Sequence, residues 1–234
     1  MKINKNVSDS VVQIPVGTCH LGGDLHLLPQ TSRLVLFADG TGNSRKSRSN
    51  SYAARVFQAY GCGTLLFDLL TPEEEEEDET TISFRFDIGF LTRRLIEVTQ
   101  WVQEQPWLEK RSIGYFGSGT GLAAALVAAA TLGSQIGAVV SRSGRPDFAT
   151  PFLNQVQAPT LFIVGSKDEN ILRWNEQALR QLTCRKDLII VHGANPLFEE
   201  KGAFQEVARE AGEWFHEYLA SPTFDASTSL HLVR

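Results

Sequence analysis

The chain has 234 residues, of which 42% are hydrophobic and 21% charged, a composition typical of one soluble globular domain that excludes collagen, coiled-coil and disordered proteins. Seven of its 27 acidic side chains lie in one run at residues 73–79, so the rest is nearly neutral and the net charge of −5 says little about partners. The longest apolar run, residues 122–132, is shorter than the roughly 20 residues that a bilayer span needs, which predicts no membrane segment.

Cysteine content and the N-terminal residues predict the compartment. The three cysteines, Cys19, Cys62 and Cys184, are widely spaced and form neither a disulfide framework nor a metal-binding knuckle. Residues 1–16 lack the apolar segment of a signal peptide, so we predict a cytoplasmic protein. Without a histidine cluster we expect no metal, and we expect no cofactor. The basic patch at residues 45–48 is too short for a nucleic-acid-binding surface, so no nucleic-acid partner is expected.

Short apolar runs alternate with segments of helical period, which predicts a mostly parallel sheet covered by helices on both faces. The first two runs, residues 11–16 and 20–28, favour an antiparallel pair joined at Gly17. Later runs raise the predicted number of strands to about eight; they lie at residues 34–38, 64–68, 113–116, 136–140, 160–164 and 188–191. Apolar residues spaced by three and four predict helices over residues 84–102 and 204–219.

Two segments lie outside this alternation. The acidic run follows Pro72, between a strand and the first of these helices, and we interpret it as a solvated loop or helix start. After Ala220 both periods are lost, so residues 221–234 are predicted to be a flexible C-terminal tail. Residues 1–220 contain no internal repeat or linker, which predicts a single domain.

The most informative stretch is residues 113–130, where a buried strand leads into a Gly-rich turn and then an Ala-rich helix. This is the context of the nucleophile elbow, G-x-S-x-G, whose central residue sits on a strained turn above the sheet. Here the pattern reads Gly117, Ser118, Gly119, Thr120 and Gly121, so a glycine occupies the nucleophile position. Ser118 is a weak substitute, because the residue before the apex points away from the oxyanion donors. A phosphate-binding loop is not favoured, since G-x-x-x-x-G-K-[ST] is absent.

Seven blocks of sequence carry a resemblance to a known family. They are residues 34–45, 65–75, 85–95, 114–126, 139–147, 159–169 and 193–204. In order and spacing they resemble the small α/β-hydrolases of the dienelactone hydrolase family, in particular the group also found fused to phosphoribosyltransferase domains. The resemblance implies an α/β-hydrolase fold, and the short distance between the sixth and seventh strands implies that it has no cap domain.

The resemblance also implies a triad in the chain order nucleophile, acid, histidine. The nucleophile position falls on Gly119, the acid on Asp168 and the histidine on Pro196. The family's H-G-S-G block falls on residues 39–42, where Asp39 replaces the histidine beside the oxyanion hole. A carboxylate there would oppose a developing oxyanion. The sequence therefore predicts a degenerate triad in which only the acid is retained.

A crevice is expected at the strand ends around these positions. Its predicted lining residues are Asp39, Gly40, Thr41, Thr120, Arg142 and Arg145. The two arginines either contact an anionic ligand or anchor the loop through Asp147, and we favour the anchor. Asp39 and Asp168 could act as a carboxylate pair, whereas Asp168 alone would hydrogen-bond backbone amides.

Other side chains are weaker candidates for chemistry. His192 ends the last strand and could supply a base, although a structural role is favoured. Cys62 and Cys184 are interpreted as small buried thiols.

Two functional hypotheses follow. The first is a non-hydrolytic pseudoenzyme that binds a small molecule or a protein partner in the crevice. The second is an enzyme of altered mechanism that acts on a small ester, lactone or related substrate through Ser118, His192, Asp39 or Asp168. Ester turnover and labelling by a serine-directed probe separate the two.

Overall fold

The computed structural model describes residues 8–29, 31–40, 45–108 and 111–219, which form one eight-stranded sheet with helices. The strands are β1 (Ser8–Val16), β2 (Cys19–Leu27), β3 (Arg33–Asp39), β4 (Gly63–Phe67), β5 (Ser112–Ser118), β6 (Ile136–Gly144), β7 (Thr160–Gly165) and β8 (Lys186–Val191). The helices are α1 (Arg48–Ala59), α2 (Pro72–Thr81), α3 (Ile88–Glu104), α4 (Gly119–Leu132), α5 (Glu169–Gln181) and α6 (Ala203–Tyr218). Short 3-10 helices occupy Gly133–Gln135 and Pro146–Gln155. The predicted tail, residues 221–234, lies outside the described residues.

The strand order is β1-β2-β4-β3-β5-β6-β7-β8. The pairs β1–β2 and β2–β4 are antiparallel and the others are parallel, so the predicted mostly parallel sheet and the opening antiparallel pair are confirmed. In the described part of the chain β6 and β7 are joined by the 3-10 helix Pro146–Gln155 and no cap domain intervenes, as expected. None of the described helices has the length and apolar character to cross a bilayer.

Both faces of the sheet are covered, which explains why the central strands are apolar at nearly every position. Every residue of β4 and β7 is buried. One face packs against α3 and α4 through side chains such as Leu95 and Leu122. The other face packs against α1 and α6 through Phe57 and Phe215. The interiors of the central strands β3 and β5 are therefore buried, and partial exposure begins only at their two ends.

The position of the site follows from this strand order. Chain order reverses at β3, which has β4 on one side and β5 on the other. In open α/β sheets, ligands bind in the crevice outside the carboxyl ends of the strands at such a switch point. The β3 and β5 ends are Asp39 and Ser118, which are register partners.

For the acidic run the sequence predicts a solvated loop or a helix start, and the helix start is confirmed. The run forms helix α2, which begins with a capping box between Thr71 and Glu74. The Glu74 carboxylate also accepts a hydrogen bond from Arg94 Nη2 at 2.7 Å. Asp78 is buried, is ion paired with Arg85 and accepts a hydrogen bond from a nearby backbone amide at 2.7 Å. The solvated interpretation is wrong for these two acids, because arginines later in the chain fold back onto them.

Candidate active-site crevice

The Gly-rich turn has the backbone of a nucleophile elbow. Strand β5 ends at Ser118 and helix α4 begins at Gly119, so no residue separates them. Gly119 has φ +51°, in the left-handed region that side chains with a Cβ rarely adopt. Among the atoms of the described residues, none lies within 4 Å of a Cβ built at this position. The apex therefore has the strained conformation of an elbow and open space beyond it, but no side chain.

The glycines around the apex are required by close packing. A Cβ on Gly121 would lie 2.3 Å from the Ala38 carbonyl oxygen, and one on Gly117 would lie 2.8 Å from Leu122 Cα. A Cβ on Gly40 would lie 2.0 Å from Thr120 Oγ1. The end of β3 and the start of α4 thus approach too closely for larger residues, at the strand ends where the sequence predicts the crevice.

Asp39, Ser118 and Arg142 form what we call the strand-end row. They are lateral register partners on β3, β5 and β6, so their side chains project to the same face of the sheet. Arg142 Nη2 lies 3.3 Å from Ser118 Oγ and 3.7 Å from Asp39 Oδ2. Arg142 Nη1 donates to Ser49 Oγ at 3.1 Å, and Asn50 Nδ2 donates to Asp39 Oδ2 at 3.4 Å. The row is a partly buried polar network whose further partners come from the start of α1.

The electrostatics of the row keep its charges paired. The Arg142 and Asp39 side chains are each 14% exposed. Burial lowers the pKa of Arg142, and the Asp39 carboxylate opposes that shift. Ser118 Oγ therefore faces a guanidinium, a group that donates hydrogen bonds but accepts no proton.

Asp168 caps the helix that follows β7. Its Oδ1 accepts hydrogen bonds from the backbone amides of Asn170 and Ile171, both at 3.0 Å. Strands β5 and β6 separate β7 from β3 in the sheet, so the ends of these strands lie roughly 14 Å apart at ordinary strand spacing. The structure therefore does not join Asp39 and Asp168 in a carboxylate pair, and each carboxylate has its own partners.

Pro196 lies in the loop after β8, which is held by its own polar contacts. The Asn195 backbone amide donates to Glu200 Oε2 at 3.0 Å, and Lys167 Nζ donates to Glu200 Oε1 at 2.5 Å. The Lys167 hydrogen bond, helped by the Asn195 amide, lowers the pKa of Glu200 to about 2. The Lys167 amide also donates to the Ala194 carbonyl at 3.0 Å. The loops that carry the acid and histidine positions of the triad are therefore in direct contact.

Arg145 joins the elbow to an aromatic cluster. Its backbone amide donates to the Gly119 carbonyl at 2.9 Å. Its guanidinium makes a two-point contact with Asp147, at 2.9 and 2.8 Å, and stacks 4.4 Å from the Phe148 ring centroid and 4.1 Å from that of Trp174. This is the arrangement of a loop anchor, because the charge already has a carboxylate partner.

Comparison with known proteins places this geometry in a family. No protein-family model matches the chain. The chain is 47% identical to a dienelactone hydrolase from Anabaena variabilis, with a TM-score of 0.89, and the match covers 92% of this chain and 100% of that one. The chain belongs to the dienelactone hydrolase family. More distant structures share the fold, such as Est1E from Butyrivibrio proteoclasticus at 14% identity and TM-score 0.74, covering 90% of this chain and 99% of that one.

Other relatives of this family member are longer. Two proteins of Mycobacterium tuberculosis, from strains CDC 1551 and H37Rv, are named as phosphoribosyl transferases and are 44% identical over 214 residues. The match covers 92% of this chain and 47% of each relative, so the chain spans about half their length.

The remaining candidates for chemistry in this dienelactone hydrolase family member are His192 and the three cysteines. His192 is exposed in the turn after β8. The three cysteines are free, and burial raises the pKa of Cys62 to about 11, which opposes thiolate formation. Burial also raises the pKa of Cys184. Thr41 lies outside the described residues. Within the described ranges, no group of three or more His, Cys, Asp and Glu side chains could hold a metal ion.

The sequence prediction missed two residues of the site, Ser49 and Asn50, which hold the strand-end row from α1. Ser47 caps this helix by accepting from the Asn50 amide at 3.4 Å. The run of serines and asparagine before an apolar helix signals a helix start, but it does not indicate which strand end the helix faces.

Proposed function

We propose that this chain is a non-hydrolytic member of the dienelactone hydrolase family, a pseudoenzyme that binds a small molecule in the crevice at the strand ends. The observation that carries the proposal is Gly119 at the apex of an intact elbow. The backbone there has the strained conformation that presents a nucleophile, and space for a side chain is open, yet the residue has none. Loss of a serine nucleophile removes about 10⁶ of turnover in triad hydrolases.

Ser118 does not replace the missing nucleophile. It belongs to β5, and its Oγ is bound by Arg142 on the face of the sheet that packs against α1 and α6. A serine needs an adjacent base to become nucleophilic, and a guanidinium cannot act as one. The nearest carboxylate in the row, Asp39, is ion paired with the same arginine.

The other two triad positions support the same conclusion. Proline at 196 has no group that transfers a proton, so the step that would activate a nucleophile has no base at the family position. Asp168 keeps the acid position, but its carboxylate caps α5, a role that stabilises the fold without any catalysis. His192, four residues before Pro196, is exposed after β8.

What remains is the shape of a binding site. The close contacts of Gly40, Gly117 and Gly121 keep the floor of the crevice in place. The amides at the start of α4 still point toward it, and a helix N-terminus attracts electron-rich groups. Arg142 and Arg145 are engaged by Asp39 and Asp147, so we expect a ligand that is neutral or weakly polar.

We do not propose phosphoribosyl transfer, the activity in the name of the longer relatives, for this chain. The match spans all of the Anabaena dienelactone hydrolase but only 47% of each Mycobacterium tuberculosis protein. We attribute phosphoribosyl transfer to the part of those proteins outside the matched region. We also place this protein in the cytoplasm, on the support of its three free cysteines.

Turnover of a panel of p-nitrophenyl esters tests the proposal. The natural protein should hydrolyse them no faster than the Asp168→Asn variant or buffer. The Gly119→Ser/Pro196→His double variant should gain esterase activity above that baseline, because the apex has room for a serine. The two single variants are the matched controls, and each should stay at baseline since nucleophile and base act as a unit.

Ester turnover by the natural protein would instead support the alternative, an enzyme of altered mechanism. Turnover by the natural protein that falls on Ser118→Ala or His192→Ala would show an enzyme of altered mechanism and overturn the pseudoenzyme.

A further inference from the structure

Exposed apolar side chains concentrate beside the loop that follows β6. Six large hydrophobic side chains are exposed among the described residues, and four of them lie on two neighbouring segments. Ile82 and Phe86 belong to the connection between α2 and α3, and Phe148 and Phe152 belong to the 3-10 helix after β6. The rings of Phe86 and Phe148 are in contact, with centroids 6.1 Å apart. We call these four residues the aromatic patch.

The patch is held rigidly. Phe148 is stacked against the Arg145 guanidinium, which Asp147 fixes in place. On the other side, Asp87 caps α3 by accepting from the Phe90 amide at 2.9 Å, so the residue after Phe86 is anchored. Exposed rings that are already fixed lose little conformational entropy when a partner covers them. A pair of exposed rings in contact, with further exposed apolar side chains on the same two segments, is the kind of surface that marks an interaction site.

Acidic side chains border the patch. Helix α2 ends immediately before Ile82, and Glu76, Glu77 and Glu79 are exposed on it. Within the described ranges these three glutamates form no ion pair, whereas the two inward-facing acids of the helix are paired with arginines. A surface with apolar rings at its centre and carboxylates at its border complements a partner that is apolar and cationic.

We propose that the aromatic patch and the outer face of α2 form a docking surface for a basic amphipathic helix of another polypeptide. Its apolar side chains would cover Phe86 and Phe148, and its lysines and arginines would face the glutamates of α2. The surface contains none of the triad positions, so the proposal is independent of whether the crevice binds a ligand.

A second copy of this chain does not fit the surface. A two-fold contact uses the same surface on both partners, so it would bring two acidic α2 faces together. Like charges at an interface oppose association. The partner therefore has the opposite charge.

Selection from a random peptide library, with peptides of about 15 residues or roughly four helical turns, tests the proposal on the folded protein. The enriched peptides should combine Lys or Arg with apolar residues at helical spacing. Their affinity should fall at least about tenfold for the Phe86→Ala/Phe148→Ala variant, because both rings are central anchors. The Glu76→Gln/Glu77→Gln/Glu79→Gln variant should bind more weakly and with less dependence on salt.

The control is Val11→Ala, which removes an exposed apolar side chain on β1 and should bind the peptides as the natural protein does. Circular dichroism confirms that each variant is folded. Absence of enrichment, enrichment of acidic peptides, or unchanged affinity of the double alanine variant would overturn the proposal. A dimer at micromolar concentration that Phe86→Ala dissociates would also overturn it, by assigning the patch to self-association.

Discussion

The elbow at Gly119 and the loop at Pro196 are the two places where we propose that a catalytic side chain is missing, and they differ in what surrounds that position. At the elbow the glycines on either side of Gly119 are closely packed, and Gly119 itself has a strained, left-handed backbone. In the loop after β8, polar side chains hold the chain, through Glu200 with Lys167 and the Asn195 amide. The shape of the crevice is therefore a property of packing, whereas hydrolysis depends on single side chains.

The close packing at the elbow predicts the largest change in stability. Gly121→Ala should lower the free energy of unfolding by about 3 kcal/mol, because the new Cβ would lie 2.3 Å from a backbone carbonyl oxygen. The Cβ of Gly119→Ala, two residues away, comes within 4 Å of no atom in the described part of the chain, so this change should lower the free energy of unfolding by only about 1–2 kcal/mol, from its left-handed φ. Urea unfolding of both variants measures the difference, and equal losses would show that packing does not hold the elbow.

The strand-end row predicts the next largest effect. Arg142→Met leaves the Asp39 carboxylate partly buried without its cation and should lower the free energy of unfolding by about 2 kcal/mol. Adding Asp39→Asn should recover part of the loss, since it removes the unpaired charge. A double-mutant cycle in urea measures the coupling. Additive losses from the two changes would contradict a functional ion pair between them.

The β8 loop predicts a smaller, pH-dependent effect. The lowered pKa of Glu200 means that its contribution to stability is fully present above the ordinary glutamate pKa of about 4.3 and is lost as pH falls toward about 2. Lys167→Met should raise the Glu200 pKa toward the ordinary value and move this loss to higher pH. NMR titration of the Glu200 carboxyl measures the shift, with Lys201→Met as the control. An unchanged titration would mean that Lys167 does not hold the loop.

Much of the fold can be predicted from the sequence, because a buried strand requires a short apolar run and a tight strand-to-helix turn requires closely spaced glycines. The apolar runs locate all eight strands to within a few residues, and glycine spacing locates the elbow. Helix α3 begins at Ile88, not at residue 84, because Asp87 caps it. The contact of Arg142 with Ser118 could not be predicted, since it depends on the lateral register of β5 and β6.

The acidic run shows the same limit on long-range contacts. Its charge is visible in the sequence, but the pairing of Glu74 with Arg94 joins residues 20 positions apart. The long Arg94 side chain of α3 reaches the first turn of α2 to make that pair, and no local pattern encodes it. The exposed glutamates of α2 likewise suggest a docking surface only once the fold brings Phe148, which follows β6 in the chain, into contact with Phe86.

The central claim is that the elbow of this dienelactone hydrolase family member presents no nucleophile. Mass spectrometry of the intact protein after incubation with a fluorophosphonate probe tests it most directly. The natural protein should keep its unmodified mass, and the Gly119→Ser/Pro196→His variant should gain one phosphonyl group, on the hydroxyl introduced at position 119. Phosphonylation of the natural protein, at Ser118 or any other residue of the crevice, would contradict the claim.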